Sequence, residues 1–145
     1  MMLIIYFING IRLAACIRIN RGRIRVRGIF VPILPELALW PSDAHDKDGC
    51  YSGCAVEEDG ALRVLYTCNA KDEAGVRSSV QRFGTFTKGV VKKEEIIIAG
   101  PPEGFTAHFR DPYLFDWRGV RHLIIGAQTA DERGCVLVYR ETADG

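Results

Sequence analysis

The sequence predicts an all-β chain built from antiparallel strands. Helical periodicity is nearly absent, apolar runs of strand length recur about every ten residues, and turn-forming residues separate them. The strands expected on this basis are Leu3–Ile8, Leu13–Ile19, Ile24–Val31, Gly53–Glu57, Leu62–Thr67, Ser79–Thr85, Glu95–Ala99, Tyr113–Asp116, His122–Gly126 and Val136–Arg140. The separating segments are Asn9-Gly10, Glu58-Asp-Gly60, Asp72-Glu-Ala-Gly75, Trp117-Arg-Gly119 and Asp131-Glu-Arg-Gly134. Glycine after a polar residue supplies the positive φ that tight hairpins require. Strand spacing alone leaves propeller, sandwich and barrel open.

Two segments interrupt the pattern. Pro32-Ile-Leu-Pro-Glu-Leu-Ala-Leu-Trp-Pro41 carries three prolines in ten residues, which no central strand tolerates. It separates residues 1–36 from a second region, 37–145. Gly100-Pro-Pro-Glu-Gly104 is a second irregular connection.

Bulk properties restrict the function. The 145 residues suffice for a buried core, and 48% apolar with 26% charged residues is a globular balance. The net charge of +1 gives no overall pull toward nucleic acid or membrane. Charge is nevertheless split: residues 1–30 hold six arginines and no acid, leaving 13 basic against 18 acidic residues afterwards. The alternation Arg23-Ile-Arg-Val-Arg27 is the period of a strand with one wet face rather than of a nucleic-acid arm. Met1–Ile8 is too short to cross a bilayer. Leu13-Ala-Ala-Cys16 resembles a lipoprotein cleavage box, but Arg12 follows the apolar run instead of preceding it, so a cytoplasmic location is expected. Five cysteines (Cys16, Cys50, Cys54, Cys68, Cys135) with no close pair read as small buried hydrophobes, not as a disulfide frame or zinc site. Asp43, Asp46 and Asp48 read as a solvated loop rather than a calcium site. Trp40 and Trp117 read as packing aromatics.

Three stretches carry a resemblance to a known family. They are Leu37-Ala-Leu-Trp-Pro-Ser-Asp43 with Asp46-Lys-Asp-Gly-Cys-Tyr-Ser-Gly-Cys-Ala-Val56; Pro101-Pro-Glu-Gly-Phe-Thr-Ala-His-Phe-Arg-Asp-Pro112; and Ile124-Ile-Gly-Ala-Gln-Thr129 with Gly134-Cys-Val-Leu-Val-Tyr-Arg140. In this order and spacing the region 37–145 resembles glycoside hydrolase family 32, the invertases, sucrose-6-phosphate hydrolases and fructanases. The resemblance implies a partial five-bladed β-propeller, about two blades of it, and retaining hydrolysis of a fructosyl bond. It implies that Asp111, the acid of the Arg-Asp-Pro signature, holds fructose hydroxyls and stabilises the transition state. Arg110 would pair with it through bidentate hydrogen bonds, and Pro112 would fix the turn that follows. Tyr51 and Ser52 match the aromatic and serine lining the fructose pocket, and His108 and Phe109 would shape the funnel wall. The competing readings are a strand-end ion pair for Arg110–Asp111, core packing for Tyr51 and a turn hydroxyl for Ser52.

The family pattern breaks in two places. Its nucleophile motif, Trp-Met-Asn-Asp-Pro-Asn-Gly, is not in this sequence, although Leu3-Ile-Ile-Tyr-Phe-Ile-Asn-Gly10 faintly resembles the strand and turn that follow it. Its Glu-Cys acid/base motif is also missing, and Cys54 stands where serine is usual. The expectation is therefore a truncated β-fructofuranosidase piece, inactive alone, with a non-catalytic fructoside-binding module as the alternative. No cofactor and no metal are expected. The expected partner is a sucrose-like fructoside, with no nucleic acid or membrane. Strand edges left open by a partial propeller predict self-association.

Overall fold

The structure, a computed structural model, describes residues 38–142. The three strands expected between Leu3 and Val31 and the division at residue 36 lie outside the described residues. Seven strands form two antiparallel meanders. Sheet one runs β1 (Gly49–Glu58), β2 (Ala61–Lys71), β3 (Arg77–Thr87), β4 (Val90–Ile98) in spatial order. Sheet two follows as β5 (Phe105–Trp117), β6 (Val120–Thr129) and β7 (Gly134–Arg140).

Three of the hairpins turn on two residues of positive φ: Asp59-Gly60, Lys88-Gly89 and Arg118-Gly119. Their handedness matches the strand twist, so register is set locally. The Lys88-Gly89 turn was not among the separators expected from sequence. Consequently β4 begins at Val90, five residues before the expected Glu95, and β3 runs on to Thr87. The larger departure is β5, which starts at Phe105 instead of Tyr113 and runs straight through Arg110-Asp-Pro112. Pro112 is thus a fully buried residue within a strand, not the start of a turn.

Sheet one is buried on both faces, as the unbroken buried run Val64–Ala70 of β2 records. One face packs under the segment before β1: Leu39 meets Cys50, Val64, Tyr66, Cys68, Val80 and Val91. The other face meets sheet two through Cys54, Leu65, Phe109, Leu123, Ile125 and Ala127. Within sheet one, Gly53 lets β1 lie close against β2 next to the bulge, because a Cβ there would stand 1.7 Å from the Leu65 carbonyl oxygen.

Buried polar side chains also bridge the two sheets. Thr67 and Gln81 are wholly buried, and Ser79 nearly so. The Thr67 hydroxyl donates to Gln81 Oε1 at 2.8 Å, Gln81 Nε2 donates to the Phe109 carbonyl at 3.1 Å, and Ser79 Oγ donates to the Ala107 carbonyl at 2.8 Å. These side chains satisfy the backbone of β5, the edge strand of sheet two. Backbone polar groups buried without partners would be costly.

The loop before β1 is not the solvated acidic run expected. Asp46 is fully buried. Its carboxylate accepts the backbone N–H groups of Ser42 (2.8 Å) and Asp43 (3.0 Å) and pairs with Lys93. Burial alone would raise its pKa, but these partners outweigh burial and hold it below the usual carboxylate range. Asp43 pairs with Arg82 at 2.5 Å, and Asp48 accepts the Lys71 N–H at 2.6 Å. Trp40 and Trp117 are 43% and 57% exposed and do not pack in either core. Cys50, Cys54 and Cys68 are buried, whereas Cys135 is partly exposed.

Two predictions follow from this packing. Gln81→Leu strands the Phe109 carbonyl and the Thr67 hydroxyl, and should cost about 2–4 kcal/mol in urea unfolding; a loss under about 1 kcal/mol would contradict the bridge. Asp46 has a folded pKa below its unfolded one, so its stabilisation is complete above the unfolded value and disappears as pH falls through the folded one. Thermal melts should show Asp46→Asn well below the parent at pH 7, with the gap closing below about pH 4.

Candidate active site

The candidate residues occupy two β-bulges. In β1, Tyr51 and Ser52 together stand opposite the single residue Thr67, between the Cys50↔Cys68 and Gly53↔Tyr66 pairs. In β5, Asp111 and Pro112 stand opposite the single residue Ile125, between Arg110↔Gly126 and Tyr113↔Ile124. Thr67 links the two, because its hydroxyl also accepts the Asp111 backbone N–H at 3.2 Å.

The second bulge does something a regular strand cannot. Neighbouring residues of a strand point to opposite faces. Asp111 has φ 63°, a left-handed conformation, and it precedes a proline, which adds its own restriction on the preceding residue. As a result Arg110 and Asp111 both line one cavity of about 680 Å3, with Arg110 Nε 3.7 Å from Asp111 Oδ2. The pair is a single long contact between half-exposed side chains (51% and 54%), not the bidentate bridge expected. Such a pair adds little stability of its own, which leaves both groups available to a ligand.

His108, Gly126, Gln128, Cys135 and Val136 complete much of the cavity wall. Gly126, opposite Arg110 on β6, lets the two strands lie close, since a Cβ there would stand 3.3 Å from the Arg110 carbonyl oxygen. Phe109, expected in the funnel wall, instead points into the core and is fully buried. Tyr51 and Ser52 do not line this cavity. They lie half-buried on the neighbouring strand, with the Tyr51 ring packed over Gly49, where a Cβ would come within 2.7 Å of Cε1. Thr67 and Gln81, which hold the Asp111 N–H and the Phe109 carbonyl, carry no signal in the sequence that marks them out. The three core cysteines are poor nucleophiles, since burial pushes the Cys50 thiol up to about 12 and those of Cys54 and Cys68 up to about 11. Cys54 Sγ, in the position where serine was expected, accepts the Leu114 N–H at 3.3 Å. Among the described residues no group of three or more His, Cys, Asp or Glu is placed to hold a metal ion.

Two successive antiparallel sheets, packed on one another and with the acid-bearing bulge on the first strand of the second, fit two blades of a partial β-propeller. Residues 34–144 match the glycosyl hydrolases family 32 N-terminal domain, and the chain belongs to that family. It is 41% identical over 104 residues to a sucrose-6-phosphate hydrolase of Bacillus subtilis, covering 72% of this chain and 22% of that protein. It is 37% identical over 111 residues to a raffinose invertase of Escherichia coli, covering 74% and 23%. A sucrose-6-phosphate hydrolase structure from Lactobacillus gasseri superimposes with a TM-score of 0.68 at 32% identity, covering 80% of this chain and 23% of that one. The chain thus spans under a quarter of the length of these relatives.

The left-handed backbone at Asp111 is directly testable. Asp111→Gly should leave stability unchanged or raise it by up to about 1 kcal/mol, while Asp111→Val should lower it by about 2 kcal/mol. Equal denaturation midpoints for the two variants would mean that no strain resides there.

Proposed function

We propose that this chain carries the fructosyl-recognition part of a β-fructofuranosidase acting on sucrose or sucrose 6-phosphate, with Asp111 as the transition-state stabiliser. The observation that carries this reading is the Arg110–Asp111 pair held on one side of the β5 bulge, over a sugar-sized cavity. A carboxylate fixed there can accept hydrogen bonds from vicinal hydroxyls of a fructofuranosyl ring. It also places negative charge near the anomeric carbon as the oxocarbenium-like state develops. Arg110 can donate to the same ring or to an attached phosphate. Tyr51 and Ser52, on the β1 bulge outside this cavity, would reach the ligand only where it extends beyond the cavity toward β1.

Retaining hydrolysis also needs a nucleophilic carboxylate and an acid/base. The family motifs for both are missing from these 145 residues. One carboxylate cannot attack the sugar and protonate the leaving oxygen on opposite sides of the bond. These residues alone are therefore expected to bind a fructoside without turning it over. The same observation favours the second reading, a fructoside-binding module with no chemistry of its own.

Calorimetric titration with fructose and with sucrose should give saturable heat at millimolar ligand, abolished in Asp111→Ala and weakened in Arg110→Ala. A parallel glucose-release assay on sucrose should remain at the buffer rate. Turnover near that of an intact invertase would refute the inactivity, and flat titrations with both sugars would refute the recognition site.

A further inference from the structure

Cys50 and Cys68 are directly opposed on β1 and β2. Both belong to the cluster under Leu39, so their side chains lie on the same face of sheet one. Directly opposed residues of an antiparallel pair hold their Cβ atoms about 4.5–5.5 Å apart. A disulfide needs about 3.5–4.5 Å, so a small approach of two side chains bridges them with no change of register. The Cys50 thiol donates to the Asp46 carboxylate at 3.6 Å, a weak contact that leaves the sulfur free to react. The other described thiols stand apart. Cys54 faces the inter-sheet cluster, against the Leu114 N–H. Leu114 pairs with Leu123, whereas Cys135 pairs with Ala127. Those two positions of β6 are about 13 Å apart along the strand.

We propose that Cys50 and Cys68 form a site of reversible intramolecular cross-linking, closed to a cross-strand disulfide by a low-molecular-weight disulfide. The thiolate of one cysteine attacks the small disulfide, giving a mixed disulfide and releasing one small thiol. The second cysteine attacks the protein-side sulfur and releases the other. Two protein S–H bonds and one small-molecule S–S bond are exchanged for one protein S–S bond and two small-molecule S–H bonds. The resting pair is reduced, because burial pushes Cys50 up to about 12 and Cys68 up to about 11 and both sulfurs lie under the Leu39 segment and the Asp46 loop. Oxidation is therefore slow and follows local opening of that cover. The bond has a structural consequence. The Cys50–Cys68 pair bounds the bulge of Tyr51 and Ser52, and Cys68 follows Thr67, whose hydroxyl holds the Asp111 N–H. Cross-linking fixes the bulge and Thr67 to one register, and it removes freedom from the unfolded chain.

The test uses the full chain, folded in native buffer and incubated with oxidised glutathione. Free thiols are then alkylated and the chain digested without reduction. Tandem mass spectrometry should find Cys50 linked to Cys68, with Cys54 and Cys135 alkylated. The thermal midpoint should rise by roughly 5–15 °C and fall back on adding dithiothreitol. Cys68→Ser should abolish both changes, and Cys135→Ser neither; if Cys68→Ser loses its strand circular dichroism, Cys68→Ala replaces it. An oxidised chain in which Cys50 and Cys68 are both alkylated, carry glutathione alone, or are linked to Cys16, Cys54 or Cys135 overturns the proposal. So does a linked chain whose midpoint is unchanged or lower.

Discussion

The hydroxyl of Thr67 is the point on which the rest of this molecule turns. It is wholly buried, faces the β1 bulge, donates to Gln81 and accepts the N–H of Asp111. A hydroxyl has one proton and two lone pairs, so it can donate to one sheet-one side chain while accepting from sheet two. Valine, nearly its isostere, could do neither. The hydrogen bonds it makes are individually modest, but they lie where water does not reach, and there an unpaired group costs more than a paired one gains. Sheet two is therefore held at a fixed height along sheet one, not merely somewhere on an apolar face. Apolar contact between Leu65, Phe109 and Ile125 supplies affinity between the sheets. The polar bridge supplies register.

A second layer of buried charge holds sheet one from its other side. Asp46 and Lys93 pair beneath the segment that bears Leu39, while Arg82 reaches Asp43 and donates through Nε to the Glu94 carbonyl at 2.8 Å. Removing either partner of a buried pair leaves an uncompensated charge, so these contacts act as a latch more than as a source of net stability. The latch closes over Cys50 and Cys68, directly opposed on β1 and β2. Burial raises both thiols and keeps them protonated. Thus the β1 bulge carrying Tyr51 and Ser52 is fixed by the Asp46 loop on one side and by Thr67 on the other.

Much of this architecture is legible in the sequence, and the parts that are not share a cause. Hairpins at Asp59-Gly60 and Arg118-Gly119 could be read because positive φ is a local demand that glycine announces. Lys88-Gly89 makes the same demand, but it falls in a stretch of charge and β-branched residues without an obvious break, so the sequence does not mark where β4 begins. The first half of β5 escaped because Phe105–Phe109 follows a proline-rich connection and its alternation is broken by the bulge. Asp46, Thr67 and Gln81 were unreadable for another reason. A polar residue reads as solvated unless its partner is known, and the partners that fix these three across the fold stand 47, 44 and 28 residues away in the chain. The Arg110–Asp111 pair could be singled out from its motif, but not the backbone conformation that makes it a pair.

That conformation constrains what the pair can be. Left-handed backbone at a non-glycine residue before a proline is disfavoured twice over, and it persists only where the surroundings determine it. Here Thr67 holds the Asp111 N–H, Gln81 holds the preceding carbonyl across Arg110, and buried Pro112 needs no partner for an N–H it lacks. A purely structural ion pair would not need this, since a long contact between half-exposed groups returns too little to offset the strain. The strain is explained if its product is the useful feature: two adjacent side chains of opposite charge turned to the same side of a strand, with backbones that need no reordering when a polar ligand arrives. Preorganised groups bind more tightly than groups that must first be ordered. The buried polar bridge between the sheets is therefore best understood as the support of the Asp111 bulge.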